Sequence, residues 1–137
     1  MGASDMNKDV IEEFRANGGV VGGYFAGLTL LLLHHKGARS GTDRINPLAY
    51  QTLSNGFAIF ASKNGDDDNP AWFYNVLANS ETTVEVGTET LDIVAHEAKG
   101  EEYERIWNKQ KTDVPQFAEY ERQTARPYIP VVVLERI

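Results

Sequence analysis

Cysteine is absent from the 137 residues, which removes disulfides, thiol nucleophiles and cysteine metal ligands together. Cations are scarce too: thirteen Lys and Arg stand against twenty Asp and Glu, a formal net charge of −7. Such a surface repels phosphate, so nucleic acid or an anionic membrane is not a general partner. The three histidines, His34, His35 and His96, make no metal set, because the first two are strand neighbours that point to opposite faces and no H-E-x-x-H occurs. The acidic run at 66–69 fails as a calcium loop, with Ala71 and Leu77 where a glycine and a carboxylate are required. Neither a dinucleotide fingerprint, a P-loop ending nor a nucleophile elbow is found. The chain opens without a secretory signal pattern, so a cytoplasmic location is expected. Residues 16–33 carry no charge, but Gly18, Gly19, Gly22, Gly23 and Gly27 interrupt them. They read as a connector before a buried strand, with a peripheral membrane contact through Val20, Val21, Tyr24 and Phe25 as the alternative.

What is present suits one compact domain. Val10, Ile11 and Phe14 recur at helical spacing in "NKDVIEEFRAN", which glycines then stop. "LTLLLLHH" reads as a strand buried on both faces. After the turn "GARSG" a second strand, "RINPLAYQTL", carries Pro47 as an edge or bulge marker. "SNG" turns into the partner strand "FAIFASK". Asn69 and Pro70 read as cap and first residue of the helix "AWFYNVLAN". A second hairpin turns at "GTE", two short helices follow, and "YIPVVVLERI" closes the chain as a strand. Six strands in hairpins with helices between them predict an antiparallel α+β barrel. Residues 1–23 form the helix and glycine-rich connector, and 24–137 the barrel domain.

Against the acidic background, Lys36, Arg39 and Arg44 cluster on one hairpin with Gly37, Gly41, Ser40 and Thr42. The cluster is either a solvated turn or a cradle for an anion, since a guanidinium grips phosphate or carboxylate with paired hydrogen bonds. Lys63 leaves the sheet at "ASKNG", and the helix after Pro70 brings a positive terminus to the same region. If the hairpin ends meet, these cations surround a single groove; alternatively Lys63 is a surface lysine. Trp72, Phe73 and Tyr74 read as core, with Trp72 a candidate wall for a planar ring. Phe117 and Tyr120 lie one turn apart on a late helix, and the Tyr120 phenol is either a proton donor or a packed surface group.

The chain resembles the deazaflavin-dependent nitroreductases, also described as quinone reductases that use reduced coenzyme F420. The resemblance runs from about Gly18 to the C-terminus and is carried by "GARSGTDRINPL", "ASKNGDDDNPAWFYNVLAN", "LDIVA" and "IPVVVLE". It implies a split β-barrel of the FMN-binding type with the cofactor in a groove along it. The basic turn, at Ala38, Arg39, Ser40, Arg44, Asn46 and Pro47, would hold the cofactor's phosphate and acidic tail. Ala61, Ser62, Lys63, Asn64 and Gly65 would hold the deazaflavin ring, bordered by Ala71, Trp72 and Asn75. Tyr120 falls where the family has a tyrosine near the substrate, making it the candidate catalytic residue. The implied activity is hydride transfer from reduced F420 to a quinone, nitroaromatic or similar planar acceptor. The rival readings are an FMN-dependent oxidoreductase of the same barrel type and a non-catalytic deazaflavin carrier. Asn64 replaces a frequent glycine, Phe117 a tyrosine, and Ala49 an aromatic, which widens the acceptor side.

Overall fold

A computed structural model describes the backbone of residues 3–22 and 29–137 and the side chains from Asn7 onward within them. The expected helix is α1 (Ala3–Ala16). The strands are β1 (Leu30–Lys36), β2 (Asp43–Leu53), β3 (Gly56–Phe60), β4 (Glu81–Val86), β5 (Glu89–Glu97) and β6 (Val131–Arg136). Helices α2 (Ala71–Ala78), α3 (Gly100–Asp113) and α4 (Gln116–Gln123) sit between them. The described strands close in the order β1-β2-β3-β6-β5-β4, every pair antiparallel. This is an α+β barrel of the split type.

Strand alternation sorts the side chains into two layers. Leu31, Leu33, Phe57, Ile59, Val84, Ile93, Val132 and Leu134 fill the barrel, and α2 plugs one end with Trp72, Phe73 and Val76. The outer face of β1 is equally apolar because α1 lies on it: Phe14 and Val21 cover Leu30 and Leu32. Elsewhere α3 and α4 cover Ala58, Phe60, Val131 and Val133 with Ile106, Trp107 and Phe117. So Leu30 through Leu33 are all at most 2 % exposed. Burial of Val21 removes it from any membrane-facing patch, whereas Val20 is 69 % exposed. Gly23, Gly27, Tyr24 and Phe25, and with them the expected 23/24 boundary, lie outside the described residues.

Two details of the backbone make the groove. β2 pairs with β1 from Asp43 to Ala49 but with β3 only from Tyr50 to Leu53. Tyr50 N–H donates to Thr29 O on the β1 side, so by alternation the nitrogen of Pro47 faces the β3 side. Proline has no N–H to continue a ladder there. Beyond Ile59, β3 turns away, and Ala61 N–H bonds to Pro130 O instead. The barrel is therefore split between residues 47–49 of β2 and the end of β3. No bulge is involved: Pro47 stays in register opposite Leu32, at a local edge.

The predicted cap of α2 is corrected. Pro70, extended at ψ 153°, is the boundary residue and the helix starts at Ala71. Asn69 Oδ1 instead accepts from Arg126 Nη1 at 2.7 Å, and Asn69 Nδ2 donates to the Tyr74 hydroxyl at 3.3 Å. A guanidinium is a stronger donor than a terminal backbone N–H, so it claims the side chain.

Candidate functional site

The split opens as a groove of about 430 Å³ lined by Pro47, Leu48, Ala49, Phe60, Ser62, Lys63, Asn64, Pro70, Trp72, Val114, Gln116, Phe117 and Tyr120. Its floor is apolar and its rim polar, the usual division of labour in a small-molecule site. α4 supplies one wall. Phe117 is buried against Phe60, their centroids 5.4 Å apart, and Tyr120 meets Phe117 edge-on at 5.5 Å. The helix is pinned to α3 by Glu121, which accepts from both the Trp107 indole and Lys111.

The strand end at Lys63 follows an unusual path. Lys63 and Asn64 have positive φ, 46° and 55°, and Gly65 has φ 81°. Asparagine tolerates the left-handed region better than most side chains, so Asn64 can stand where the family often has glycine. Gly65 has no such substitute: a Cβ there would sit 3.2 Å from Tyr120 Cα. Arg126 then fixes the segment, donating to Ala61 O at 2.8 Å and Ser62 O at 2.9 Å as well as to Asn69. Tyr120 donates to Asn64 Oδ1 at 3.3 Å, which ties the phenol to this turn.

A second, larger space of about 830 Å³ lies between α1 and the basic hairpin. Its cationic lining includes Lys8, Arg15, Lys36 and Arg44. The expectation of one groove ringed by the basic hairpin and Lys63 is thereby corrected. Lys36, Arg44 and Asn46 border this cleft, whereas Pro47, Ser62, Lys63, Asn64, Trp72 and Tyr120 border the groove. The division runs along β2 rather than across it: residues 43–46 line the cleft and residues 47–49 the groove. The two spaces are nonetheless adjacent, since Asn46 lines one and Pro47 the other. Ala38, Arg39 and Ser40 sit on the exposed turn between β1 and β2. Ala61 is fully buried in the barrel core, and Ala71 is exposed at the start of α2.

Asn75 is buried and works on the turn rather than facing a cavity. Its Oδ1 accepts from Ala38 N–H at 2.9 Å, and its Nδ2 lies 3.2 Å from His35 Nδ1. His35 Nε2 lies 2.7 Å from Asn46 Oδ1. The turn also closes on itself through Gly41 N–H to Gly37 O, Gly37 N–H to Thr42 O and Thr42 N–H to Ser40 Oγ. Backbone donors of the hairpin are thus largely used internally. Its guanidiniums carry the attraction for an anion, and among the described residues Lys36, Arg39 and Arg44 form no ion pair.

The sequence matches the family model for F420H(2)-dependent quinone reductases over residues 6–136. The chain belongs to that family. One relative, the F420H(2)-dependent quinone reductase Rv1261c of Mycobacterium tuberculosis, is 34% identical over 109 residues, covering 77% of this chain and 72% of that protein. A solved F420-H2 dependent reductase, FDR-A, superposes with a TM-score of 0.67 at 36% identity, covering 76% of this chain and 92% of its own. Another solved structure, described as a domain-swapped dimer, has a TM-score of 0.72 at 33% identity over 98% of this chain and 100% of its own.

The residues of the groove and the hairpin fit the family's cofactor. A planar ring needs a flat apolar slot with a polar edge, and the groove between Pro47 and Trp72 is one. An anionic tail needs cations that are not already paired, and the hairpin beside the groove carries them. The first turn of α2, at Pro70 and Trp72, borders the groove and adds the partial positive charge of a helix N-terminus. Two groups at the site leave little trace in the side-chain pattern. Arg126 acts on main-chain carbonyls, which leave no trace in a motif, and His35 is visible only as one of two adjacent histidines.

Proposed function

We propose that this chain passes a hydride from reduced F420 to a quinone, with the deazaflavin ring in the groove of the split and the anionic tail across the basic hairpin. The observation that carries the reading is the break in the β2–β3 ladder at Pro47, which sets an apolar slot one residue from a cluster of cations that form no ion pair among the described residues. Bound reduced F420 supplies the hydride. Pro47 and Trp72 would flank the ring and exclude water, and Ala49 beside them leaves room for a planar acceptor. Ser62, Lys63 and Asn64 orient the polar edge of the ring. Arg39, Arg44 and Lys36 reverse the repulsion of a protein of net charge −7 within a Debye length, ~8 Å at physiological salt. A quinone that receives a hydride needs one proton to become the hydroquinone, and Tyr120, which lines the groove, would give it by turning its O–H from Asn64 Oδ1 to the acceptor.

The test is to follow the visible absorbance of reduced F420 with and without menadione. Acceptor-dependent oxidation supports the reading; binding without turnover leaves a carrier, and a protein purified yellow with flavin favours the FMN reading. Nitroaromatics are the second acceptor class to try. No described helix is long and apolar enough to cross a membrane. A lipid-borne quinone would be met at a bilayer surface, and Val20, 69 % exposed after α1, would be one contact with it. Co-sedimentation with neutral vesicles, compared between wild type and Val20→Ser, tests that contact.

A further inference from the structure

We infer that His35 is a positioning residue, a neutral imidazole that bridges Asn46 and Asn75 and thereby holds the basic hairpin in its ligand-receiving shape. The inference rests on the proposed use of that hairpin. Proton placement follows from the partners. Asn75 Oδ1 accepts from Ala38 N–H, so its other atom, Nδ2, is a donor, and His35 Nδ1 must accept from it. The ring proton then sits on Nε2 and is donated to Asn46 Oδ1. A line of three hydrogen bonds runs from the turn backbone through α2 and β1 to β2, and it admits one tautomer. A proton added to Nδ1 would face the Asn75 amide N–H, and the link to α2 would open. Ala38 N–H, one residue before Arg39, would lose its fixed acceptor.

The surroundings resist that proton. His35 is 4 % exposed, and burial holds its pKa below the usual histidine value; the bond to Asn46 opposes this, while Arg44 and His34 reinforce it. Arg44 is paired directly across the β1–β2 ladder from His35. From α2 the facing group is the neutral Asn75, and β4 places the neutral Thr82 at the rim. Lys36 and Asp43 stand at the hairpin mouth, and α1 contributes Lys8, Glu12 and Arg15 to the same cleft. His34, on the opposite face, is engaged by Glu85 at 2.7 Å.

The experiment compares wild type, His35→Gln and His35→Leu. Glutamine can accept from Asn75 and donate to Asn46 without titrating. Oxidised F420 affinity is measured by fluorescence from pH 8 to pH 5, alongside long-range 15N spectra of the histidine rings and the Ala38 amide. Wild type should show an Nε2-protonated His35 at pH 8, and over any pH range in which the ring spectra show it taking a second proton its affinity should fall more steeply than that of His35→Gln, by up to about tenfold, the scale of one lost hydrogen bond. Titration of the ligand is common to both proteins and cancels in that ratio. His35→Leu should bind weakly at every pH, with glutamine restoring most of the affinity. An Nδ1-protonated ring at pH 8, identical affinities of wild type and His35→Gln across a range in which the ring titrates, or a His35→Leu that binds as well as His35→Gln overturns the inference. If neither protein binds F420 at pH 8 the proposed function fails; the positioning role then stands or falls on whether the Ala38 amide follows the His35 titration.

Discussion

Replacing Arg126 with alanine removes a guanidinium that reaches three oxygens of one loop: Ala61 O, Ser62 O and Asn69 Oδ1, all between 2.7 and 2.9 Å. A hydrogen bond to a charged group is worth ~1.5–3 kcal/mol net. The three do not add, because Arg126 is only partly buried and water can satisfy freed carbonyls near the surface. A loss of about 2–3 kcal/mol is the expected result. At about 3.5 °C per kcal/mol for a chain of this length, Tm should fall by about 7–10 °C. Arg126→Lys should recover little, since a single ammonium cannot reproduce the planar fork. Urea unfolding followed by tryptophan fluorescence reads the stability, and F420 titration reads the effect on the Ser62–Asn64 end of the groove. A variant within 0.5 kcal/mol of wild type, at the ordinary scatter of surface changes, would refute the view that Arg126 holds this loop.

Tyr120→Phe should lower quinone turnover by at least about tenfold while changing the dissociation constant of F420 less than twofold; stopped-flow mixing separates the two. Arg44→Ala should weaken F420 binding about tenfold in dilute buffer and much less at 0.5 M salt, where the Debye length shrinks to about 4 Å. The third concerns acid stability. Glu85 is held below its usual value near 4.5, first by Arg15 and then by His34, against the opposing effect of burial. A carboxylate with a depressed folded pKa contributes stability above its unfolded value and loses it as pH falls through the folded value. Below about pH 4.5, Glu85→Gln should therefore follow a flatter stability curve than wild type. At pH 7 it should be only ~0.5–1 kcal/mol less stable, because Arg15 is half exposed and screened; urea midpoints across pH 3–7 measure this.

The barrel was legible because its signals are local. Four leucines in a row can be strand only if both faces are covered, and α1 covers the second face. The "SNG" and "GTE" turns fix two hairpins by chemistry alone. Tyr120 and Trp72 line the same groove. What the sequence could not display is where along β2 the ladder to β3 stops. That break divides Asn46 from Pro47 and splits the expected single site into cleft and groove. Asn75, expected beside the ligand, hydrogen-bonds Ala38 and His35, partners that no motif displays. The cap at Asn69 was misread because its partner, Arg126, arrives from 57 positions away.

The most direct measurement is a crystal structure with F420 bound. The account predicts the deazaflavin ring in the groove against Pro47 and Trp72, its tail running past Asn46 toward Arg44 and Arg39. A ring lodged in the larger cleft beneath α1, or a tail directed away from the hairpin, would contradict it.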